Sequence, residues 1–270
     1  MSELAQRLRE LRREAGMPAP TATARSPVPE ELRRLLGIRA KRTAIPPTPM
    51  DIDRDVPGEE IAPGLRYTEQ SFAWDARPAA IDARFAGHGD IACERLLHFD
   101  TETTGLAGGT GTRAFMIGAA DWRQDRLRVR QLTMTRMAAE AAMLNTFAGW
   151  IDDATVLVSY NGKSYDAPLL NTRYCLERMP SPLRHCLHLD LLHPARRRWR
   201  GMWENCRLAT IERHVLGVVR EDDLPGSEAP RAWLDYLRGG SARNLRRVAL
   251  HNSQDLRSLA GLCLRLSGHT

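Results

Sequence analysis

Residues 99–105 read FDTETTG, closing an apolar run that starts with RLLH at residue 95. The run predicts a β-strand over 95–101. Asp100 and Glu102 lie two apart, and strand side chains alternate between faces, so both carboxylates share one face. Like charges held together repel, and burial strips their hydration, unless a cation sits between them. The competing reading is a solvated strand end. GLAGGTGTR (105–113) follows and reads as the turn into the next strand. It is not a phosphate cradle, which needs Gly-Lys-Ser/Thr opening a helix.

Outward from this segment, strands are predicted at 113–122 and 126–134, where Leu127, Val129, Gln131 and Thr133 alternate with other residues. A helix over 137–150, a strand at 154–159, a helix over 167–178 and a strand at 186–192 follow. Helices near 207–217, 229–238 and 241–264 complete the chain. Strands first, then alternating helix and strand, then helices, predict a mixed α/β sheet.

Two more acidic elements stand out. In SYNGKSYDAPLL (159–170), Asn161-Gly162 signals a turn and Asp166 opens an apolar helix, where it is either a ligand or an N-cap. In HNSQDLRSLAGL (251–262), His251 and Asp255 are one helical turn apart, on a helix whose stripe Leu256, Leu259, Cys263 and Leu266 faces a core. Four carboxylates on a strand end, a helix start and a helix form a set of hard oxygen ligands suited to Mg²⁺ or Mn²⁺. Two such ions can activate water and stabilise the leaving oxygen of a phosphodiester. A histidine beside them can take the proton.

FDTETTG, YNGKSYDAPLL and HNSQD resemble the three motifs of the DEDD (DnaQ-like) 3′–5′ exonucleases. FDTETTGLAGGTGTRAFMIG, YNGKSYDAPLL, DDLPGSEAP (222–230) and LHNSQDLRSL are most similar to the YprB-like branch, over about residues 57–265. The resemblance implies a ribonuclease H-like fold: a five-stranded mixed sheet of order 3-2-1-4-5, strand 2 antiparallel, flanked by helices. It implies that Asp100, Glu102, Asp166 and Asp255 hold two Mg²⁺ or Mn²⁺ ions, and that His251 stands in the place of the general base. The family places His five, or Tyr four, residues before the last Asp; here His is at four. The second motif also resembles the exonuclease site of family B DNA polymerases, which suggests that Asn161 and Tyr165 shape the site around the substrate strand. Thr103 joins them as an expected substrate contact. The implied activity is 3′–5′ hydrolysis of single-stranded nucleic acid, DNA or RNA, to nucleoside 5′-monophosphates. A binding module without turnover and an endonuclease are the alternatives.

Lys41 and Lys163 are the only lysines in a chain rich in arginine. Lys163, three residues before Asp166, is a candidate phosphate contact. RRRWRGMWENCR (196–207) interleaves cations with indoles, so Arg196, Arg197 and Trp199 are expected to meet phosphates and unpaired bases. His185, Cys186, His188, Asp190 and His193 lack the second ligand pair of a zinc site and read as a core strand, with Asp190 near the active edge. Asp222 and Asp223 read as a turn before Pro225-Gly226.

The 270 residues carry 43% hydrophobic and 27% charged side chains, net charge +6 and mean hydropathy −0.41, which exclude a wholly disordered chain. No run reaches the ~18 apolar residues of a membrane span. Five scattered cysteines and a charged N-terminus predict reduced thiols and a cytoplasmic protein. Residues 1–56 are expected to form a basic, Pro-rich arm with short helices at 3–15 and 29–37 and a linker between them, and 57–270 the domain. Residues 1–45 carry ten Arg or Lys against five Asp or Glu, a balance suited to polyanions or simply to solvent.

Overall fold

The computed structural model describes residues 52–75, 77–105, 111–220 and 223–269. The helices expected at 3–15 and 29–37, the linker between them, Asp222 and the middle of the 105–113 turn lie outside the described residues.

The central element is β5 (Leu96–Thr103), whose first four residues are buried. It pairs antiparallel with β6 (Ala114–Arg123), and β6 pairs antiparallel with β7 (Arg126–Met134). On its other side β5 pairs parallel with β8 (Val156–Ser159), which pairs parallel with β9 (Leu187–Asp190). The inner order β7-β6-β5-β8-β9 is the expected 3-2-1-4-5, with the second strand antiparallel.

The sheet has seven strands, not five. β1 (Glu59–Ala62) and β2 (Leu65–Ala73) form a hairpin that adds to β7 along its full length. β1 thus lies at the start of the segment 57–270 and forms the edge of the sheet. These two strands leave most side chains partly exposed, so they lack the alternation that marks a half-buried strand. A separate ribbon pairs β3 (Ala80–Asp82) with β4 (Asp90–Ala92).

Helices cover both faces. α1 (Glu140–Ala148) and α2 (Asp166–Leu176) pack on Phe99 and Leu97 through Met143, Phe147 and Tyr174. α3 (Leu192–Trp199) and the lower half of α6 (Arg243–Leu266) cover the opposite face, at Leu96, Val158 and Val129. Between them come the short α4 (Leu208–Ile211), a π-helical turn (Glu212–Leu216) and α5 (Ala229–Leu237). On α5, Trp233 stacks on Phe115 at 5.2 Å and donates its indole N–H to Met134 O at 2.7 Å. No helix among the described residues is long and apolar enough to cross a membrane.

α6 reaches the sheet closely because β6 carries Gly118. A Cβ there would lie 2.0 Å from Asn252 Oδ1 and 2.8 Å from Leu256 Cδ1, both on α6. That close approach delivers Asn252, and with it the His251–Asp255 turn, to the end of β5.

Candidate active site

β5 runs out of the core at Asp100, directly opposite Gly118. Asn252 donates its amide N–H to Asp100 Oδ2 at 2.9 Å. Its own carbonyl accepts from Gln131 Nε2 at 2.9 Å, which turns the nitrogen toward Asp100. Glu102, two residues on, is buried at 7% exposure.

Asp166 arrives from the β8–α2 loop. It is the first residue of α2, the N-cap position being held by Tyr165. Thr101 Oγ donates to Asp166 Oδ1. The loop is shaped by Asp190 at the end of β9, which accepts from the backbone N–H of Asn161 at 2.7 Å and of Lys163 at 3.0 Å, and from Leu192 at 3.0 Å. Asn161 sits at φ +67°, a left-handed conformation that Asn tolerates. Gly162 is required by space, since a Cβ would lie 2.4 Å from Ser159 Oγ.

Asp255 and His251 come from one turn of α6, with His251 Nε2 3.6 Å from Asp255 Oδ2. Arg220, from the loop before α5, donates to Asp255 Oδ1. The same guanidinium grips the fully buried Glu212 through Nε at 2.8 Å and Nη2 at 2.6 Å, and reaches Asp223 Oδ2 at 3.3 Å.

Two clefts meet at Asp100. One, of about 450 Å³, is lined by Asp100, Thr103, Asn161, Tyr165 and Asp166 among others. The other, of about 180 Å³, is lined by Asp100, Glu102, Thr103, His251 and Asp255 among others. The carboxyls in them are hard to ionise. Burial, then the charges of Asp255, Asp166 and Glu102, hold Asp100 well above the usual carboxylate range. Burial, then Asp255, Asp166 and Asp223, does the same to Glu102. Burial raises Asp166 to about 6 against the pull of Thr101. Asp255 is raised by burial despite Arg220 and His251.

A family model for the RNase_H superfamily matches residues 97–267, from the second residue of β5 to just past the end of α6. The chain belongs to the RNase H superfamily. "Uncharacterized protein YprB" of Bacillus subtilis is 38% identical over 174 residues, which are 64% of this chain and 42% of that protein. The chain is thus a YprB homologue that spans about two-fifths of its relative's length. Among solved structures, the family B DNA polymerase of the hyperthermophilic archaeon Pyrobaculum calidifontis shares the fold. It has TM-score 0.51 and 17% identity, over 63% of this chain and 24% of that one. The EXO domain of Nibbler from Aedes aegypti aligns more loosely, at TM-score 0.44 and 17% identity over 64% of this chain and 79% of that one.

The RNase H superfamily fold implies divalent cations at these clefts, and the donor set fits them. The four carboxylates offer hard oxygens, and their mutual repulsion calls for positive charge. As the side chains stand, no three His, Cys, Asp or Glu groups among the described residues are arranged to hold one ion. Arg220 supplies the cationic charge at Asp255 in that arrangement.

Of the residues singled out from sequence, Asp100, Glu102, Thr103, Asn161, Tyr165, Asp166, His251 and Asp255 all line these two clefts. Lys163, Arg196 and Arg197 line neither; all three are exposed, and Arg197 donates to Phe85 O. Trp199 requires a correction. It is only 8% exposed, in the core beneath α3, with Trp203 stacked on it at 6.2 Å, so it has no free face for a base. Its spacing of four from Trp203 reflects this packing. Arg220, Asn252 and Thr101 are not among those residues, and Asp223 is read from sequence only as part of a turn. Asn252 adjoins His251 within HNSQD and was within reach of a closer reading; Arg220 has no local signal in VVRED.

Proposed function

We propose that this chain is a divalent-metal-dependent 3′–5′ exonuclease that hydrolyses single-stranded nucleic acid, DNA or RNA, to nucleoside 5′-monophosphates. The observation that carries this is the gathering of four carboxylates from β5, α2 and α6 on two clefts that share Asp100, all held back from ionising by burial and, at Asp100 and Glu102, by the neighbouring carboxylates as well.

Asp100, Glu102, Asp166 and Asp255 would hold two Mg²⁺ or Mn²⁺ ions, which when bound supply Lewis acidity and neutralise charge at the phosphodiester. For Asp255 to serve, it must turn from Arg220. His251 Nε2 borders the Asp100–Glu102 cleft and would orient or deprotonate the attacking water. The Asn161–Tyr165 cleft would receive the strand end, and the Tyr165 ring, 60% exposed, has a face on which a base can stack. Lys163, Arg196 and Arg197 would meet phosphates farther along the strand, and the basic arm of residues 1–56 would add sequence-independent affinity ahead of a domain at 57–270.

The test incubates the protein with 5′-labelled linear and internally labelled circular single-stranded DNA and RNA, with Mn²⁺ or chelator. A ladder shortening from the 3′ end of linear strands, abolished by chelator, is expected. Cleavage of circles would instead make the chain an endonuclease. The Arg220–Asp255 pair favours a second reading, a nucleic-acid-binding module with little turnover. Retention of both strands without shortening in Mn²⁺ would select it.

A further inference from the structure

The loop between the π-helical turn and α5 carries a carboxylate that the proposed chemistry has not used. We propose that Asp223 is a positioning residue, which fixes the tautomer and orientation of His251. The effect on rate rests on the exonuclease reading; the tautomer does not.

Asp223 Oδ1 lies 2.7 Å from His251 Nδ1. An ionised carboxylate can only accept, so at this contact the proton resides on Nδ1. The neutral ring then keeps its lone pair on Nε2. That nitrogen is the one turned toward Asp255, at 3.6 Å, on the cleft that Asp100 and Glu102 also line. A competing donor stands close: Arg220 Nη1 is 3.1 Å from the same Nδ1. If Arg220 donated there, Nε2 would carry the proton and could not accept one from water. The shorter contact to Asp223 decides between the two. Asp223 is itself held from behind, since its Oδ2 faces Arg220 Nη1 at 3.3 Å and Arg220 is anchored on the buried Glu212. The line Glu212–Arg220–Asp223–His251 is therefore an ordered support for one imidazole. A base oriented by a third group in this way is the general arrangement of activated sites.

The experiment records long-range ¹H–¹⁵N spectra of metal-free, full-length protein with ¹⁵N-histidine, at about pH 8, where an ordinary imidazole is neutral. The His251 signal among the eight histidines is identified by comparison with His251→Gln. Wild type is expected to show protonated Nδ1 and free Nε2. In Asp223→Asn, Arg220 and the new amide both offer N–H to Nδ1, so the tautomer should invert. With Mn²⁺ and single-stranded substrate, that variant should lose about 10²-fold in kcat, the order of a general base's contribution, with KM nearly unchanged. Asp223→Glu should recover part of both. A wild-type spectrum with the proton on Nε2 overturns the proposal, whether or not any variant folds. So does an Asp223→Asn enzyme with unchanged tautomer and kcat, or one whose loss follows weakened Mn²⁺ binding, which would make Asp223 a ligand. If wild type shortens no strand, the exonuclease reading fails, and the spectrum still judges the positioning role.

Discussion

Two charged corners lie on the same pair of strands, three residues apart along β5. At one, Asp121 sits opposite Leu97; at the other, Asp100 sits opposite Gly118. Asp121 is buried at 7% exposure and surrounded by arginines. Arg128 takes both its oxygens at 2.8 and 2.6 Å, with Arg123 at 3.1 Å and Arg130 at 3.5 Å. One anion there meets three cations. At the Asp100 corner, of the four carboxylates Asp255 meets a histidine and an arginine, and that arginine is shared with Glu212 and Asp223. A sheet that can neutralise a buried carboxylate so fully at one end leaves the other end negative. Uncompensated charge costs stability, and it persists where a ligand brings the missing cation.

The largest expected effect comes from making the same substitution at both corners. Asp100→Asn should cost several kcal/mol of transition-state stabilisation, roughly a thousandfold in kcat/KM for strand shortening in Mn²⁺. It should also raise the stability of the ion-free protein by about 1 kcal/mol, because it removes one of the repelling charges. Asp121→Asn should do the reverse. It leaves Arg130 without its anion and Arg128 with only Glu69 at 3.9 Å, and should lower stability by roughly 3 kcal/mol, or about 6–12 °C in Tm, while folded protein keeps its turnover. If both variants lost stability alike, the contrast between the corners would be broken.

The next effect is on pH. Asp166 is raised from 3.8 to about 6 by burial, so between those values the native state binds more protons than the unfolded one. The Asp166 contribution to the stability of the ion-free protein then falls as pH rises through that window and levels off above it, and the raised Asp100, Glu102 and Asp255 act in the same direction. An ion that binds the carboxylate form reverses the loss. Differential scanning at a hundredfold excess of Mn²⁺ over its Kd should show a gain of about 2.7 kcal/mol at neutral pH and little near pH 4. An equal gain at both pH values would place the Mn²⁺ elsewhere. The smallest effect is expected of Gly118→Ala, at the Asp100 corner. Its methyl must push Asn252 away from Asp100, at a cost of about 1–3 kcal/mol, and turnover should fall with it. Unchanged turnover would separate the seating of α6 from the site.

Much of this was readable along the chain. Leu96–Thr103 opens as an apolar run and closes on two acids two residues apart, Val156–Ser159 is a short apolar run before a turn, and Leu256, Leu259, Cys263 and Leu266 form a helical stripe that is buried as expected. Each pattern arises from neighbours two to four residues apart, so periodicity reports it. The hairpin of β1 and β2 was not readable, because an edge strand exposes both faces and holds its place through backbone hydrogen bonds to β7. Trp199 was misread for the opposite reason: the same spacing serves stacking on a base and packing under a helix, and only burial separates them.

The amino-acid order by itself determined which acids exist, on which kinds of element they sit, and that two of them share a strand face. It could not say who would partner them. Arg220 is 35 residues from Asp255, Asp223 is 28 from His251, and Asn252 is 152 from Asp100. Those pairings follow from how closely α6 seats on Gly118 and where the loop before α5 crosses it. Coulombic and hydrogen-bonding energies depend on distance through space, and the folded chain alone sets that distance.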